Sequence, residues 1–316
     1  MAVSGSKNYA ITAADIVAGA LRKIGEYDQG ETIPGDEDAA AKVALNLMVK
    51  AWVAKGADLF LRQEVTLFLQ PQTLSYSLGS SGSSHATTSF VETTLSAAEA
   101  SGQTVISVTS STGMTAADNV GIKMDDDSIH WTTIVSVDSS VQITITTATD
   151  DDAASGNKVY TYTTKADRPQ RLLYAYRRDT SSLDTEVAII GENEYRRQSN
   201  KTSEGPPVEV WYHPTLDNGT LYTWPVDGGS TWDKLIYISQ TLPDDFDTSA
   251  NNPEYPIEWG QALVWGLAAQ LGYEYGLPDR ELKRNTTIAE VELNTMLDYD
   301  VEGADVQFVM GGGRGH

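Results

Sequence analysis

The strongest pattern of apolar positions in the chain lies in residues 252–300 and predicts two long antiparallel helices. After Pro256, the first helix has apolar and small residues at three- and four-residue steps: Gly260, Leu263, Val264, Leu267, Ala268, Leu271 and Tyr275. Gly276 is expected to end this helix, because glycine readily adopts the left-handed conformation. Asp279 is expected to cap the second helix. Its stripe is Leu282, Thr286, Ala289, Leu293 and Met296 or Leu297.

Two further helices are predicted near the N-terminus. Thr12 and Asp15 have the spacing of a capping box. The stripe that follows, before Gly25, is Ile16, Val17, Ala20, Leu21 and Ile24. Asp36 is expected to cap a longer helix, whose stripe is Ala40, Val43, Ala44, Leu47, Ala51 and Trp52. We expect these helices to pack on the C-terminal pair, and the rest of the chain or another copy of it to cover the remaining apolar faces.

The period of the pattern changes to two in residues 59–78, which predicts a β-hairpin that turns at Pro71 and Gln72. Residues 79–86 are rich in Ser and Gly and are interpreted as a linker. The next block, 87–164, is rich in Ser, Thr and Val and predicts a small barrel or sandwich. Its strand-like runs are 104–108, 120–124, 131–137, 141–146 and 159–162.

Further strands are predicted after Arg168 and Pro169, together with a short helix at 192–198. Asp217, Asn218 and Gly219 are typical of a hairpin turn. The strands are 172–176, 208–213, 220–224 and 235–240. The predicted class is therefore α+β. It combines a core of residues 1–79 and 165–302, an inserted small all-β domain at 80–164 and a flexible glycine-rich tail at 303–316.

Composition narrows the class of function. Hydrophobic residues make up 40% of the chain, and 44 acidic residues against 22 basic ones give a net charge of −22. This charge argues against sequence-specific nucleic-acid binding, which needs a basic surface. It agrees with a channel wall that passes DNA without binding it, and equally with an acidic protein that meets no polyanion. With no cysteine in the chain, disulfides and thiolate metal sites are excluded. We expect neither a signal peptide nor a membrane span.

Motifs of catalysis and metal binding are missing from the sequence. The acidic triplets 125–127, 150–152 and the group Asp244, Asp245 and Asp247 lack the spacing of a calcium loop, so solvated turns are expected. His130 and His213 are expected to be structural. A Ser-His-Asp set stays open, because its members need not be close in sequence. We therefore expect a structural or binding protein, with no enzymatic activity and no cofactor.

Basic residues concentrate in one region of this acidic chain. They are Arg168, Arg171, Arg177, Arg178, Arg196, Arg197 and Lys201. One interpretation is an interface to an acidic neighbour, such as another copy of the chain. The other is ordinary surface charge on strands and a short helix.

Several stretches, taken in their order along the chain, carry a family resemblance. They are the helix pair of 13–56 leading into the hairpin with Gln70-Pro71-Gln72 at its turn, Arg168-Pro169-Gln170-Arg171, 195–201 with 203–207, 220–225, 242–246 and the helix start at Pro256-Ile257-Glu258-Trp259. Together they resemble the head-to-tail adaptor proteins of short-tailed bacteriophages, a group that includes tail tubular protein A and the packaged-DNA stabilisation proteins. The block 80–164 departs from the compact members.

The resemblance implies a homo-oligomeric ring, typically a dodecamer, between the portal protein and the next tail component, a nozzle or fibre. DNA would pass through its channel without sequence recognition. In this interpretation the tail binds the portal through Gly303, Val306, Phe308, Val309, Met310 and Arg314. Contacts between subunits would involve Arg171, Arg177, Arg178, Arg196, Arg197, Lys201 and Trp259. The protein would belong to the virion tail or neck and assemble in the host cytoplasm, with no membrane partner.

A second hypothesis comes from another class of function. The β-rich, Ser/Thr-rich block and the tryptophans Trp131, Trp211, Trp224 and Trp232 are also typical of a secreted or surface carbohydrate-binding or hydrolytic protein. Hydrolysis would need two carboxylates at the spacing that glycosidases use. The sequence does not show that spacing.

Overall fold

The computed structural model describes residues 5–6, 8–57, 59–229 and 234–299, and within them the chain has the predicted α+β class. Its helices are α1 (Ala13–Ile24), α2 (Gly35–Val53), α3 (Glu192–Arg197), α4 (Gly260–Glu274) and α5 (Asp279–Tyr299). Its strands are β1 (Arg62–Phe68), β2 (Ser75–Leu78), β3 (Ala86–Thr87), β4 (Val91–Thr94), β5 (Val105–Ser107), β6 (Asn119–Lys123), β7 (Ile129–Ser139), β8 (Gln142–Ile145), β9 (Lys158–Tyr162), β10 (Arg171–Arg178), β11 (Asp184–Glu186), β12 (Ala188–Ile189), β13 (Glu209–His213), β14 (Gly219–Trp224) and β15 (Lys234–Gln240).

The chain divides into two compact units. One combines Met1–Leu61 with Leu242–His316, and the other is Arg62–Thr241. These boundaries differ from the predicted ones at 79/80 and 164/165. The long helices thus belong to one unit, and all the strands belong to the other.

In the helical unit, α4 packs against α1, α2 and α5. The stripe predicted for α1 is fully buried, and so is that of α4 as far as Leu271. In α5, Ala289 and Leu293 are buried, and Met296 and Leu297 pack at the edge of the same core. Burial of these faces is the main source of stability here, at roughly 25 cal/mol per Å² of apolar surface.

The predicted ends of α1 are confirmed, while two other helix starts differ from the prediction. Asp15 N donates to Thr12 Oγ1, and Thr12 N donates to the Asp15 carboxylate, which completes the capping box. Gly25 ends α1 at φ 82°. Asp36 and Asp279 are not caps, because α2 begins one residue before Asp36, directly after Pro34, and Asp279 is already the first residue of α5.

Gly266 allows α4 to approach α2 closely. A Cβ atom at this position would lie 2.7 Å from a ring carbon of Trp52 and 2.8 Å from the sulfur of Met48. Gly272 similarly faces Leu282 of α5. Glycine thus permits close approach on two sides of α4, towards α2 at Gly266 and towards α5 at Gly272.

The β unit contains a five-stranded sheet in the order β11-β10-β15-β1-β3 and a four-stranded sheet in the order β12-β13-β14-β2. The two sheets share one apolar core, to which Val65 of β1 and Leu78 of β2 both contribute. The predicted hairpin of β1 with β2 is therefore wrong, because the two strands lie in different sheets. The hairpin predicted at Gly219 is confirmed by the antiparallel pair β13 and β14.

The five strands predicted in 104–162 all form, and they belong to a third sheet in the order β4-β9-β6-β7-β8-β5. This sheet closes on itself, because Leu95 after β4 pairs with Val108 after β5. Thr109 N donates to Thr94 O at 2.8 Å across the same seam. Buried aliphatic side chains, such as Ile122 and Ile143, fill the interior.

The closed sheet is fixed to the five-stranded sheet at the end of β1. Phe68 is buried among the rings of Phe90, Trp131, Tyr160 and Tyr162, with centroids 4.8–6.4 Å away. Residues 79–86, predicted to be a linker, take part in this packing: His85 O accepts from Phe68 N. These residues form an ordered connection, because Gly82 N donates to Gly79 O, Ser84 N donates to Ser77 O, and the His85 ring contacts the Tyr162 hydroxyl.

Gln70 makes a second connection between the same sheets. Its side-chain Nε2 donates to Ile129 O at 2.8 Å, and its Oε1 accepts from Ile129 N at 3.0 Å. The Gln70 amide therefore forms hydrogen bonds with the backbone N–H and C=O of Ile129 at the start of β7, as a neighbouring strand would. Glu92 of β4 adds an ion pair to Lys234 of β15.

We predict that Gly266→Leu destabilises the protein by about 1 kcal/mol. Overpacking against Trp52 and Met48 costs about 1–3 kcal/mol and outweighs the gain of about 0.8 kcal/mol in helix propensity. Urea unfolding followed by circular dichroism measures the change. Ala39→Leu, at an exposed position of α2 outside its apolar faces, serves as the control and should change stability by less than about 0.5 kcal/mol. Equal effects of the two variants would contradict the close approach.

We predict that Gln70→Ala lowers stability by about 2 kcal/mol, because the Ile129 N–H loses its partner in a buried setting. Gln72→Ala is the matched control, since the Gln72 amide bonds Glu204 at the surface. Its effect should stay within about 0.5 kcal/mol. Unfolding curves monitored by tryptophan fluorescence distinguish the two. If Gln70→Ala left the free energy of unfolding unchanged, the hydrogen bonds between Gln70 and Ile129 would not contribute to stability.

Candidate interaction surface

The face of α2 that is buried differs from the face that the pattern predicts. The core covers Ala41, Ala44, Leu45, Met48, Val49, Trp52 and Val53. Ala40, Val43, Leu47 and Ala51 were expected in the core, but all four are exposed. The prediction failed because α2 is apolar on two sides, so that a period of 3.6 fits either face. Only the volume available beside Gly266 and α1 selects between them.

We call Ala40, Val43, Leu47 and Ala51 the outer stripe of α2. The four residues follow steps of three or four and so lie on one side of the helix, over about 16 Å. Val43 is 60% exposed and Leu47 is 62% exposed. Covering such side chains is worth about 1.5–3 kcal/mol each. The stripe is therefore a surface that gains free energy when a partner covers it.

Polar contacts on the flank of α2 hold the stripe in place. Phe246 N donates to Asn46 Oδ1 at 2.8 Å, and Lys50 forms an ion pair with Asp245. Ser249 Oγ donates to Asp38, which also pairs with Lys42 at 3.2 Å. These side chains already form hydrogen bonds or ion pairs with each other. The outer stripe therefore has a polar rim on this flank, and the charges named there are paired.

Trp259, predicted to lie between subunits, is fully buried in the helical core. Its ring packs against Trp52 at 6.0 Å and Tyr255 at 5.0 Å. This prediction is corrected: the side chain serves the internal core, because it precedes α4 at the point where α2 crosses.

The predicted basic residues form one group on β10 and one around α3. On β10, Arg178 makes two hydrogen bonds to the Asp184 carboxylate, at 2.6 and 2.8 Å, and Arg177 donates to Pro207 O. These bonds from Arg178 lower the pKa of Asp184. Arg171 donates to the Gln240 side chain. The arginines on β10 are thus engaged within the chain.

Around α3, Lys201 donates to Tyr195 O and Gln198 O at the C-terminal end of the helix, where a cation is favourable. Arg196 pairs with Glu192. Arg197 is exposed, and within the described residues it makes no ion pair. Of the predicted basic set, Arg197 is thus the side chain most open to a second molecule. The wider role between subunits stays a prediction.

The acidic triplets lie in turns. Asp125 N donates to Asp152 O at 2.9 Å, so the structure brings the first two triplets together. The third lines a cavity of about 440 Å³ that also contains Glu254. In the part of the chain that the structure describes, no group of three His, Asp or Glu is placed to bind a metal ion.

His130 is buried and structural, as expected. Its Nδ1 lies 2.9 Å from Asp150 Oδ1, and its Nε2 lies 3.2 Å from Thr147 O. Both ring nitrogens therefore contact the turn that carries the second triplet. The contacts account for this histidine without a catalytic role.

Sequence reasoning missed His85, a histidine whose pKa is strongly lowered in the folded protein. Its ring stacks on Trp131 with centroids 3.9 Å apart, and its Nδ1 lies 2.6 Å from the Tyr162 hydroxyl. Burial, aided by the nearby charge of Lys165, lowers the pKa of His85 to about 3. No local motif marks this residue, because its partners come from β7 and β9, far away in the chain.

The other tryptophans named by the second hypothesis also contact groups of their own unit. Trp211 stacks on Tyr222 at 4.8 Å, and Trp224 Nε1 donates to Asn200 O at 2.8 Å. Trp232 lies outside the described residues. The hypothesis of a carbohydrate-binding or hydrolytic protein stays a hypothesis.

The predicted portal-binding residues in 303–316 also lie outside the described part of the chain. Among the helices that are described, none is both long and apolar enough to cross a membrane. No protein-family model matches the chain, and no curated protein matches it.

We predict that His85 makes stability fall on acidification. Its folded pKa is about 3, below the usual value of about 6.5, so the unfolded chain takes up the proton first. The contribution of neutral His85 to the free energy of unfolding is complete above pH 6.5. It decreases as the pH falls towards 3, by up to about 1.4 kcal/mol per pH unit. Urea unfolding at pH 7.5 and pH 5 measures this dependence.

The histidine variants isolate this contribution. The stability difference between wild type and His85→Gln should shrink at pH 5. His213→Gln, at an exposed position, should show no such change. Parallel pH profiles for wild type and His85→Gln would refute the assignment.

Proposed function

We propose that the protein is a structural head-to-tail adaptor of a short-tailed bacteriophage. In this proposal, copies of the chain form a ring between the portal protein and the next tail component, and the ring gives DNA a channel and helps to retain packaged DNA. The protein works in the virion neck without catalysis or a cofactor. The order of the motifs along the chain supports the proposal.

A finer architecture belongs to the same proposal. The helices of the N- and C-terminal parts form the body of the ring subunit, an antiparallel β region belongs to the same adaptor core, and the closed sheet within 80–164 is an inserted small domain. The closure of that sheet by Leu95 and Val108 supports an insertion with its own core.

The outer stripe of α2 is the observation on which the proposal depends. The stripes of α1 and α4 are covered from within the helical unit, while α2 keeps a second apolar face in solvent. An exposed apolar face of this kind is typical of a surface that a partner covers, which fits a subunit that joins copies of itself. Ring formation requires that the stripe meet a different surface of the next copy, since head-to-tail contacts close into rings.

The charge of the chain agrees with this function. A net charge of −22 repels phosphate and so favours passage of DNA over binding to it. Arg197 is open to an acidic surface of a neighbouring copy, in keeping with the predicted role of the basic region. Such a contact would set the register between copies more than their affinity.

We predict that Leu47→Glu prevents assembly and leaves the fold intact. A carboxylate in the centre of a buried apolar contact is strongly unfavourable, while at a site that is 62% exposed in the single chain it is tolerated. Sedimentation velocity and negative-stain electron microscopy, with the protein alone or mixed with the portal protein of the same phage, should show rings for the wild type only.

Val291→Glu on α5 is the matched control, because Val291 is 59% exposed and lies on another helix. It should retain ring formation, and circular dichroism should confirm that both variants are folded. A wild-type protein that stays monomeric with the portal would overturn the adaptor proposal. Rings that persist in Leu47→Glu would instead remove the outer stripe from the interface.

Deletion of residues 303–316 should abolish portal binding while the protein remains folded.

A further inference from the structure

The β unit contains a pocket of about 240 Å³ beside the junction of the closed sheet and β1. Phe68, Tyr76, His85 and Trp131 supply rings to its wall. Thr73, Ser83 and Ser84 supply hydroxyl groups, and Gln70 supplies an amide. The volume lies just below the range of about 300–1,000 Å³ that is usual for drug-sized ligands. The pocket therefore suits a small ligand of one ring.

The wall of the pocket is fixed before any ligand arrives. The Tyr76 hydroxyl accepts from Gln70 N at 3.0 Å and donates to Gln70 O at 3.2 Å. His85 and Trp131 are stacked almost in parallel, at an interplanar angle of 4°. Ser84 Oγ accepts from Ser77 N at 2.9 Å. A site that is already ordered binds without the cost of ordering its side chains.

The wall carries no charge at neutral pH. Its only titratable groups are tyrosine Tyr76 and histidine His85, and burial keeps both neutral: it raises the pKa of Tyr76 and lowers that of His85 to about 3. An ionic ligand would lose hydration here, and the nearby ammonium group of Lys165 already donates to Gly82 O at 2.6 Å, so binding of an ion is unfavourable. The hydroxyl groups can still take part in binding a polar ligand, because Ser84 Oγ, which accepts from Ser77 N, keeps its own proton to donate. The ligand that fits is neutral and combines an apolar face with several hydroxyl groups.

We propose that this pocket binds one neutral pyranose unit of a glycan. A pyranose ring has an apolar C–H face for the aromatic side chains and hydroxyl groups for the polar ones. The site lies between the closed sheet and the strand that anchors it, so it differs from a platform of isolated surface tryptophans. It is independent of the adaptor proposal, because no residue of the pocket belongs to the outer stripe of α2.

Saturation-transfer NMR tests the proposal with full-length protein and a panel of neutral methyl glycosides: glucose, galactose, mannose, rhamnose and N-acetylglucosamine. At least one of them should receive saturation, and the signal should fall at least fivefold in Ser83→Trp. Ser83 is exposed at the pocket, so tryptophan fills the space without disturbing the core. Ser80→Trp, in the same connection but outside the lining, should keep the signal.

Thr73→Trp provides a second way to fill the pocket if Ser83→Trp fails to fold by circular dichroism. Methyl glucuronide, which is charged, should give a weaker signal than methyl glucoside. No saturation of any neutral glycoside would overturn the proposal. A signal that survives Ser83→Trp and Thr73→Trp would also overturn it, since the sugar would then bind elsewhere.

Discussion

The helical unit depends on one constraint: α4 has no charged side chain before its last residue, Glu274. A helix without a polar face is stable in water only when other elements surround it. The close approach at Gly266 lets α2 cover one side, while α1 and α5 cover the others. Since α2 uses one apolar face for this purpose, its second apolar face is left pointing outward. The surface assigned to assembly is thus a direct consequence of how α4 is buried.

The outer stripe is small, and its chemistry limits what it can do. Two large side chains, Val43 and Leu47, bring a few kcal/mol at most when covered, which is less than two proteins need to associate as an isolated pair. A closed ring changes this balance, because each copy makes the contact twice and the last contact closes without a further loss of free translation. A weak, repeated apolar contact therefore fits an assembly that forms cooperatively on a template, in agreement with docking under a portal.

Local signals in the sequence predicted local structure well, and failures arose where tertiary packing decides. The capping box at Thr12 and the hairpin turn at Gly219 are encoded by neighbouring residues, so both were found. For α2 the period allowed two faces, and only the space around α4 selects one. For β1 the alternation indicated a strand correctly, but Val65 to Leu69 are all buried, so that both faces need cover. The four-stranded sheet covers one face and the closed sheet covers Phe68 on the other, and the sequence has no local mark of either partner.

The junction in the β unit has an analogous origin. Phe68 points away from the core shared by the two open sheets, and a buried aromatic ring requires apolar neighbours on that side as well. The closed sheet provides them, and Glu92 between Lys158 and Lys234 fixes its orientation. Burial opposes ionisation of Glu92, yet the two lysines keep its pKa below the usual value, so the ion pair persists at neutral pH. An insertion held this firmly has a defined surface next to its anchor, and the uncharged pocket at His85 is part of that surface. The pocket proposed to bind a sugar therefore lies beside this junction, in a different compact unit from the outer stripe of α2 that is proposed to join copies of the chain.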